Sequence, residues 1–440
     1  MQLPVREWTH WAAGYGLPRA SLKLLARRGD PLAQLLTIDT NPVDNIYPLI
    51  EQVRGRGRMS PVRGAGWVSA DAQIVREVLR DVRFRTIKPQ DRSTFRIVQW
   101  VLAKTDPGVL NPIEPPSMLV TDPPEHTRLR RPVARSFTPR ALDGLRTRIQ
   151  EIAEGLLRGL EGRAECDLVT EYASRIPVAV IAEMMAMPPD ETDYLQEVAE
   201  TTTRLIGSTT ASWRDFRSAT KVLREFDRYL AGHVKRLSQD DAGDSLLSDV
   251  LHNGDLTEIE IRMLAGLLVG AGFVTTSHVM GKAVVALVRH PDQLAVLCAN
   301  PEGWPDAIEE ILRYDTAAQV VPRVATEDVD VHGYPVRAGE ALFLLAGGAN
   351  RDPAAFEHPD TFDTRRANAR EHITFGTGVH ACLGAALARM ELHIGLQSLF
   401  EHFPQLTLAG EPAFNNSIGL HGLKHLPVSL GAAHSIRSTH

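Results

Sequence analysis

The chain has 440 residues, 43% hydrophobic and 23% charged, with 48 basic against 54 acidic side chains and a formal net charge of −6. That composition supports a large buried core, and the absence of any long basic block argues against a nucleic-acid partner. Three scattered cysteines, Cys166, Cys298 and Cys382, without a C-x-x-C exclude a zinc-finger framework and speak against a disulfide scaffold, which fits a reducing, cytoplasmic setting.

The N-terminal MQLPVREWTHWAAGYGLPRA is charged and broken by glycine and proline. It is neither a signal peptide nor a membrane anchor, which needs roughly 20 apolar residues. Trp8 and Trp11 read as packing residues, with a membrane-surface contact as the alternative. Residues 1–40 carry no diagnostic motif. No repeat, low-complexity segment or long linker divides the sequence, so one domain over 1–440 is expected.

Helical patterns dominate the first two thirds. Thr138-Pro139 makes an N-cap and first-turn pair, followed by Leu142, Leu145, Ile149, Ile152, Leu156 and Leu160 at helical spacing. At Thr257 the string T-E-I-E forms a capping box with Glu260. No proline follows until Pro291, which predicts a helix to about Arg289, roughly 50 Å long at ~1.5 Å per residue. Its most apolar window, Leu264 to Val274, is too short to span a membrane. In its middle lies GAGFVTTSH, Gly270 to His278, and each glycine there costs up to about 1 kcal/mol relative to alanine. Either close helix packing justifies them, or a groove admits a ligand and Thr275 turns its hydroxyl toward it rather than to the carbonyl one turn back. Between Gly333 and Leu345, turn glycines, a proline and β-branched residues predict a small sheet region. The expected class is mainly α with a minor β region.

The stretch FGTGVHACLG, Phe375 to Gly384, places a cysteine behind two glycines and a histidine and ahead of a third glycine. A helical pattern begins at about Leu383, so the Cys382 sulfur sits at a helix N-terminus. There the dipole and free N–H groups favour a thiolate and predict a lowered pKa. Gly376 and Gly378 permit positive φ, and Gly384 allows a flat partner to come close. Cys166 and Cys298, without such flanks, read as buried small hydrophobes.

FGTGVHACLG resembles the haem-binding loop of the cytochrome P450 superfamily, F-G-x-G-x-[HR]-x-C-x-G, at every specified position. The chain is similar to soluble bacterial members, with matching segments from about Asp122 to Val428, ending with HGLKHLPV. The resemblance implies that fold, with a long central helix crossing over haem b, the iron porphyrin. It makes Cys382 the proximal thiolate on iron, with Phe375 near the sulfur and His380 on a haem propionate. A second family motif, E-x-x-R, recurs along the chain. Its position about 70 residues before the cysteine selects Glu310 and Arg313 over the pairs beginning at Glu77, Glu125 and Glu225, and the resemblance joins them to Arg366 as a buried structural triad. It also implies that His126 and Arg130 of DPPEHTRLRR, and Arg323 of VVPRVATEDV, bind propionates. The clustered Arg128, Arg130, Arg131, Arg135 and Arg140 leave positive charge for an acidic ferredoxin or flavodoxin-type electron donor with its reductase, or form a plain solvated face.

One position departs from the family pattern. Where an acid normally precedes the threonine, this chain has Val274 before Thr275. Oxygen activation consumes two protons, and Val274 cannot carry one. Water, a substrate group or another residue must supply the relay. By family position the substrate pocket includes Leu267, Gly270, Ala271, Gln319, Val320, Val321 and Leu420, with the loop near Phe95 to Leu110 and the segment Thr201 to Ser212. This largely apolar wall implies hydroxylation or epoxidation by O2 of a hydrophobic lipid, terpenoid or steroid-like molecule, and binding of azoles. Two alternatives stand beside this monooxygenase reading: a peroxide-driven or rearranging haem-thiolate enzyme, and a haem or lipid carrier without catalysis.

Overall fold

A computed structural model of the chain describes residues 3–38, 45–62, 65–88, 91, 96–206, 210–239, 245–253, 255–415 and 417–433. Helices dominate, and the strands gather into small sheets. The largest sheet has five strands in the order Ser60–Val62, Gly66–Ser69, Ala341–Leu345, Val320–Ala325, Phe84–Thr86. All its neighbours are antiparallel except Gly66–Ser69 with Ala341–Leu345, where Val68 pairs with Phe343 in parallel. The expected sheet region is thus met by Tyr334–Val336, which pairs with Val329–Val331, and by Ala341–Leu345.

The helix Pro139–Leu160 forms with the Thr138 hydroxyl accepting from the Ala141 N–H. It buries Leu142, Ile149 and Leu160 in the main core, while Leu145, Ile152 and Leu156 pack at its edge. This spacing puts one apolar stripe against the protein and leaves the other face wet. The capping box at Thr257 is complete, with the Thr257 N–H donating to Glu260 at 2.8 Å and the Glu260 N–H to the Thr257 hydroxyl at 3.4 Å.

The central helix departs from the expected single rod. It runs as Glu258–Gly272 and Val274–Arg289, interrupted at Phe273. A Cβ on Gly272 would lie 2.8 Å from Ile181 Cδ1, so close packing against the helix Arg175–Met184 explains that glycine. The expectation that this region is too short to span a membrane also needs correction. Taken together, 258–289 are long and apolar enough to do so, but 83% of the apolar window is buried in the protein, as in a core helix.

Just past the break, a Cβ on Gly422 would fall 2.1 Å from His278 Cγ, a ring root that cannot swing aside. Gly422→Ala is therefore expected to lower the thermal unfolding midpoint, with a loss of roughly 1–3 kcal/mol by overpacking. Thermal denaturation of the purified variant checks this.

Candidate active site

The loop before the C-terminal helix Ala385–His402 is built as its glycines require. Gly376 and Gly378 hold φ of +63° and +75°, and a Cβ on Gly378 would meet the Leu79 carbonyl oxygen at 2.6 Å. The Cys382 N–H donates to the Phe375 carbonyl at 2.8 Å, closing the loop. The Arg389 guanidinium lies 4.6 Å above the Phe375 ring and pairs with Glu309 at 2.6 Å. A Cβ on Gly376 or Gly384 would meet nothing within 4 Å, so a flat group can approach both.

Cys382 itself is crowded by protein yet keeps accessible surface. Its thiol pKa moves opposite to the dipole-based expectation: burial pushes it up, against the pull of the Gly384 N–H, Arg130 and Arg389. Desolvation of a small anion outweighs a helix terminus whose first turn begins only at Ala385. A bound cation would reverse that balance.

Near it gather donors in search of an acceptor. His126 is 2% exposed, its Nδ1 has no partner, and its ring lies 4.3 Å from that of His380. Burial first, then His380 and Arg130, pull the His126 pKa down to about 4. His380 Nε2 is 3.5 Å from the Asp122 carboxylate, longer than an ordinary hydrogen bond, and against the effect of burial it helps hold that carboxyl below its usual range. Arg130 donates to the Ala381 carbonyl at 2.7 Å. Arg323 is buried, donates to the Pro322 carbonyl, and is pushed down to about 10 by its burial. Cations and orphaned ring nitrogens around one carboxylate make a site for a further acidic group. These residues fit a flat cofactor that carries carboxylates and a thiolate-seeking metal.

Behind the loop, Glu310 meets Arg313 at 2.6 Å and Arg366 at 3.2 Å, and both members of the first pair are fully buried. Arg313 also donates to the carbonyls of Asn350 and Pro359. The adjacent Glu309, which no sequence motif marks, binds His372 and Arg389. Those partners overcome the opposing effect of burial and hold its pKa at about 2.

On the opposite side, Ala271 and Thr275 keep accessible surface in the middle of a buried helix. Thr275 does not turn its hydroxyl outward as expected. It donates to the Ala271 carbonyl at 3.0 Å, across the break at Phe273. The oxygen stays open as an acceptor. Val274 is 5% exposed.

Among the expected pocket residues, Gly270 lines a narrow cavity of about 20 Å³ between Thr192–Ile206, Trp213–Leu237 and Glu258–Gly272. Leu110 and Thr202 line it too, and so do Leu223, Phe226 and Arg262, which belong to no recognised pattern. Leu267 is buried beside it, and Val320, Val321 and Leu420 are half-buried. Gln319 is a correction: it is fully buried, donates its amide to the Thr316 carbonyl at 2.6 Å and packs on Gly347, so it offers no wall to a ligand. Phe95 and residues 207–209 lie outside the described residues, and the expected loop contains the helix Arg96–Thr105.

A further group emerges only in three dimensions. Glu391, on the C-terminal helix, is 1% exposed, and one carboxyl oxygen has no partner. Burial raises its pKa to about 8, against the pull of the neighbouring Thr276 hydroxyl.

A sulfur on a glycine loop, with Arg130, His126 and His380 gathered near it, offers the donor set that a haem-thiolate site requires. Known proteins of similar sequence and shape agree. A "Cytochrome P450" family model matches residues 305–421. "Putative cytochrome P450 140" of Mycobacterium tuberculosis is 36% identical over 99% of this chain and 100% of its own. "Vitamin D(3) 25-hydroxylase" of Pseudonocardia autotrophica is 38% identical over 72% and 78%. The crystal structure of myxobacterial "CYP267B1 in complex with myristic acid" superposes with TM-score 0.78 at 30% identity, covering 88% of this chain and 96% of that one. The chain belongs to the cytochrome P450 family. It is a monooxygenase that uses haem b.

Glu391 supplies a test of the buried architecture. Its folded pKa exceeds the unfolded value near 4.3, so the unfolded chain sheds the proton first and stability falls as pH rises through about 8. Urea unfolding should find wild type on the order of 3 kcal/mol less stable at pH 8 than at pH 5 from this group alone. Glu391→Gln should lose that part of the pH dependence.

Proposed function

We propose that Cys382 is the thiolate ligand of the haem iron, and that the enzyme oxygenates an apolar small molecule seated beside Gly270, Ala271 and Thr275. The observation that carries the assignment is the Cys382 loop. Its sulfur lies by the Gly384 N–H and two guanidiniums, crowded by protein but reachable. His126, Arg130, Arg323 and His380 are the residues that would hold the propionates. Haem held there would supply the oxygen-activating redox chemistry, in which dioxygen, two electrons and two protons give oxygenated substrate and water.

The chain's own part is positioning and proton control. Thr275, bonded back to Ala271, presents an acceptor oxygen rather than a donor to the cleft. Val274 holds no proton. Glu391, neutral up to about pH 8, touches the residue after Thr275 and is the reserve from which a proton passes toward the cleft by way of Thr276. The apolar lining of Leu110, Val198, Leu223 and Phe226 favours a lipid, terpenoid or steroid-like substrate. The named activity of the Pseudonocardia relative belongs to that chemical range.

Electrons enter on the other face. Arg128 is spent on Glu125 and Glu260, and Arg130 points inward, which leaves Arg131, Arg135 and Arg140 exposed for an acidic ferredoxin or flavodoxin-type donor. Val274 favours a second reading in which peroxide, which brings its own protons, drives turnover.

Reduced protein with CO should show the red-shifted Soret band of thiolate ligation, and Cys382→His should abolish it while haem stays bound. An unmoved band sinks the ligand assignment. Val274→Glu should raise the fraction of NAD(P)H electrons recovered in product when a ferredoxin and reductase drive turnover. Product formed at the same rate with peroxide alone would favour the second reading.

A further inference from the structure

Large apolar side chains are seldom left in water in clusters. Of the eleven exposed ones among the described residues, six fall on three helices: Val5 and Trp8 on Leu3–Trp11, Leu17 and Leu24 on Leu17–Arg27, Ile97 and Trp100 on Arg96–Thr105. The spacings i, i+3 and i, i+7 put each pair on one face of its helix. Leu3–Trp11 packs directly against Arg96–Thr105, and the turn Ala12–Gly16 joins it to Leu17–Arg27 while touching both.

Charge follows the same distribution. Residues 3–28 and 96–105 hold seven bases and one acid, in a chain where acids outnumber bases. The one acid, Glu7, is buried and paired with Arg224. Arg6, Lys23, Arg27, Arg28, Arg96 and Lys104 make no ion pair with a described residue. The acids at the borders, Asp30 and Asp106, are turned to the backbone amides of Ala33 and Gly108.

We infer that this face seats on an anionic lipid surface. Tryptophan and aliphatic side chains ringed by arginine and lysine match the interface between acyl chains and acidic headgroups, where apolar burial and attraction to the lipid charge add. A second copy of the chain is disfavoured as occupant, because a two-fold contact would set like charge against like. The face is also tied to an element that lines the cavity. Trp11 donates its indole N–H to Ala211 at 2.9 Å and lies against the Trp213 ring, and Arg19 donates to Thr210. These contacts hold Thr210, Ala211 and Trp213, at the start of the helix Trp213–Leu237 whose flank lines the cavity, and Leu110, just past Arg96–Thr105, lines it as well. A lipid-dissolved molecule would thus arrive from the bilayer. The lipid contact itself does not depend on the assignment of Cys382.

The test is co-sedimentation of the haem-loaded full chain with vesicles of mixed phosphatidylglycerol and phosphatidylcholine, and with phosphatidylcholine alone. Binding is expected to the anionic vesicles, with a blue shift of tryptophan emission and at least a tenfold weakening between about 0.05 M and about 0.5 M salt. Trp8→Ser with Trp100→Ser, and separately Arg27→Glu with Arg28→Glu, should each weaken it by about tenfold or more while leaving the unfolding midpoint in place. No binding to either vesicle, or equal binding by both double variants and wild type, overturns the proposal. So does a concentration-dependent dimer that Trp8→Ser with Trp100→Ser dissolves, or an acidic protein that competes without any lipid affinity.

Discussion

Crowding of protein around Cys382, which leaves its sulfur reachable but poorly solvated, is the constraint on which the site rests. The same desolvation drives the thiol up, Arg323 down to about 10 and His126 down to about 4. Each group is pushed toward neutrality because burial penalises whichever form is charged. A protein gains nothing by collecting such groups unless a partner restores their charged forms. Iron on the sulfur and carboxylates by the cations would do so together, which is why one cofactor accounts for all of them.

The loop that carries the sulfur is held from behind by a relay of buried contacts. Glu310 fixes Arg313, and Arg313 donates to the Asn350 carbonyl. The Asn350 side chain in turn accepts from the Ile373 N–H at 2.7 Å and donates to the Thr374 hydroxyl at 2.9 Å, immediately before Phe375. The neighbouring Glu309 reaches the loop by a different path, through His372 and through the Arg389 guanidinium that covers Phe375. Two consecutive glutamates on one helix therefore grip successive parts of the same loop. Removing either partner would strand a buried charge, a loss much larger than the net worth of the pair.

Sequence sufficed where a feature is local. The loop glycines, the capping box at Thr257 and the Thr138 cap depend on a few neighbouring residues, and they sit where their patterns place them. The E-x-x-R pair is ambiguous as a pattern and becomes specific only through its distance from the cysteine. What escaped depends on contacts remote in sequence. The break at Phe273 comes with the approach of Ile181 to Gly272, and the neutral state of Glu391 comes from helices that enclose it. Gln319 resembles a wall residue because its neighbours are apolar, yet its partner Thr316 and the close Gly347 backbone draw it inward. The direction of the Cys382 shift failed for the same reason: a dipole is visible in sequence, whereas burial is not.

The broken central helix connects these parts. Its N-terminal half is tied by the Arg262–Asp227 pair and the Thr257 box, and its C-terminal half by Lys282, fully buried and donating to Asp315, Thr316 and His421. Both ends are therefore fixed to the surrounding helices and loops, and the interruption at Phe273 falls between them, next to Val274 and Thr275. Val274, His278 and Lys282 follow one another at i, i+4 and i+8, so a single face turns from apolar at the site to polar one turn later. An acid at 274 would have extended that polar face into the cleft. With valine there, the helix carries no acid beside Thr275, and the buried carboxyl of Glu391 meets it one residue later, at Thr276.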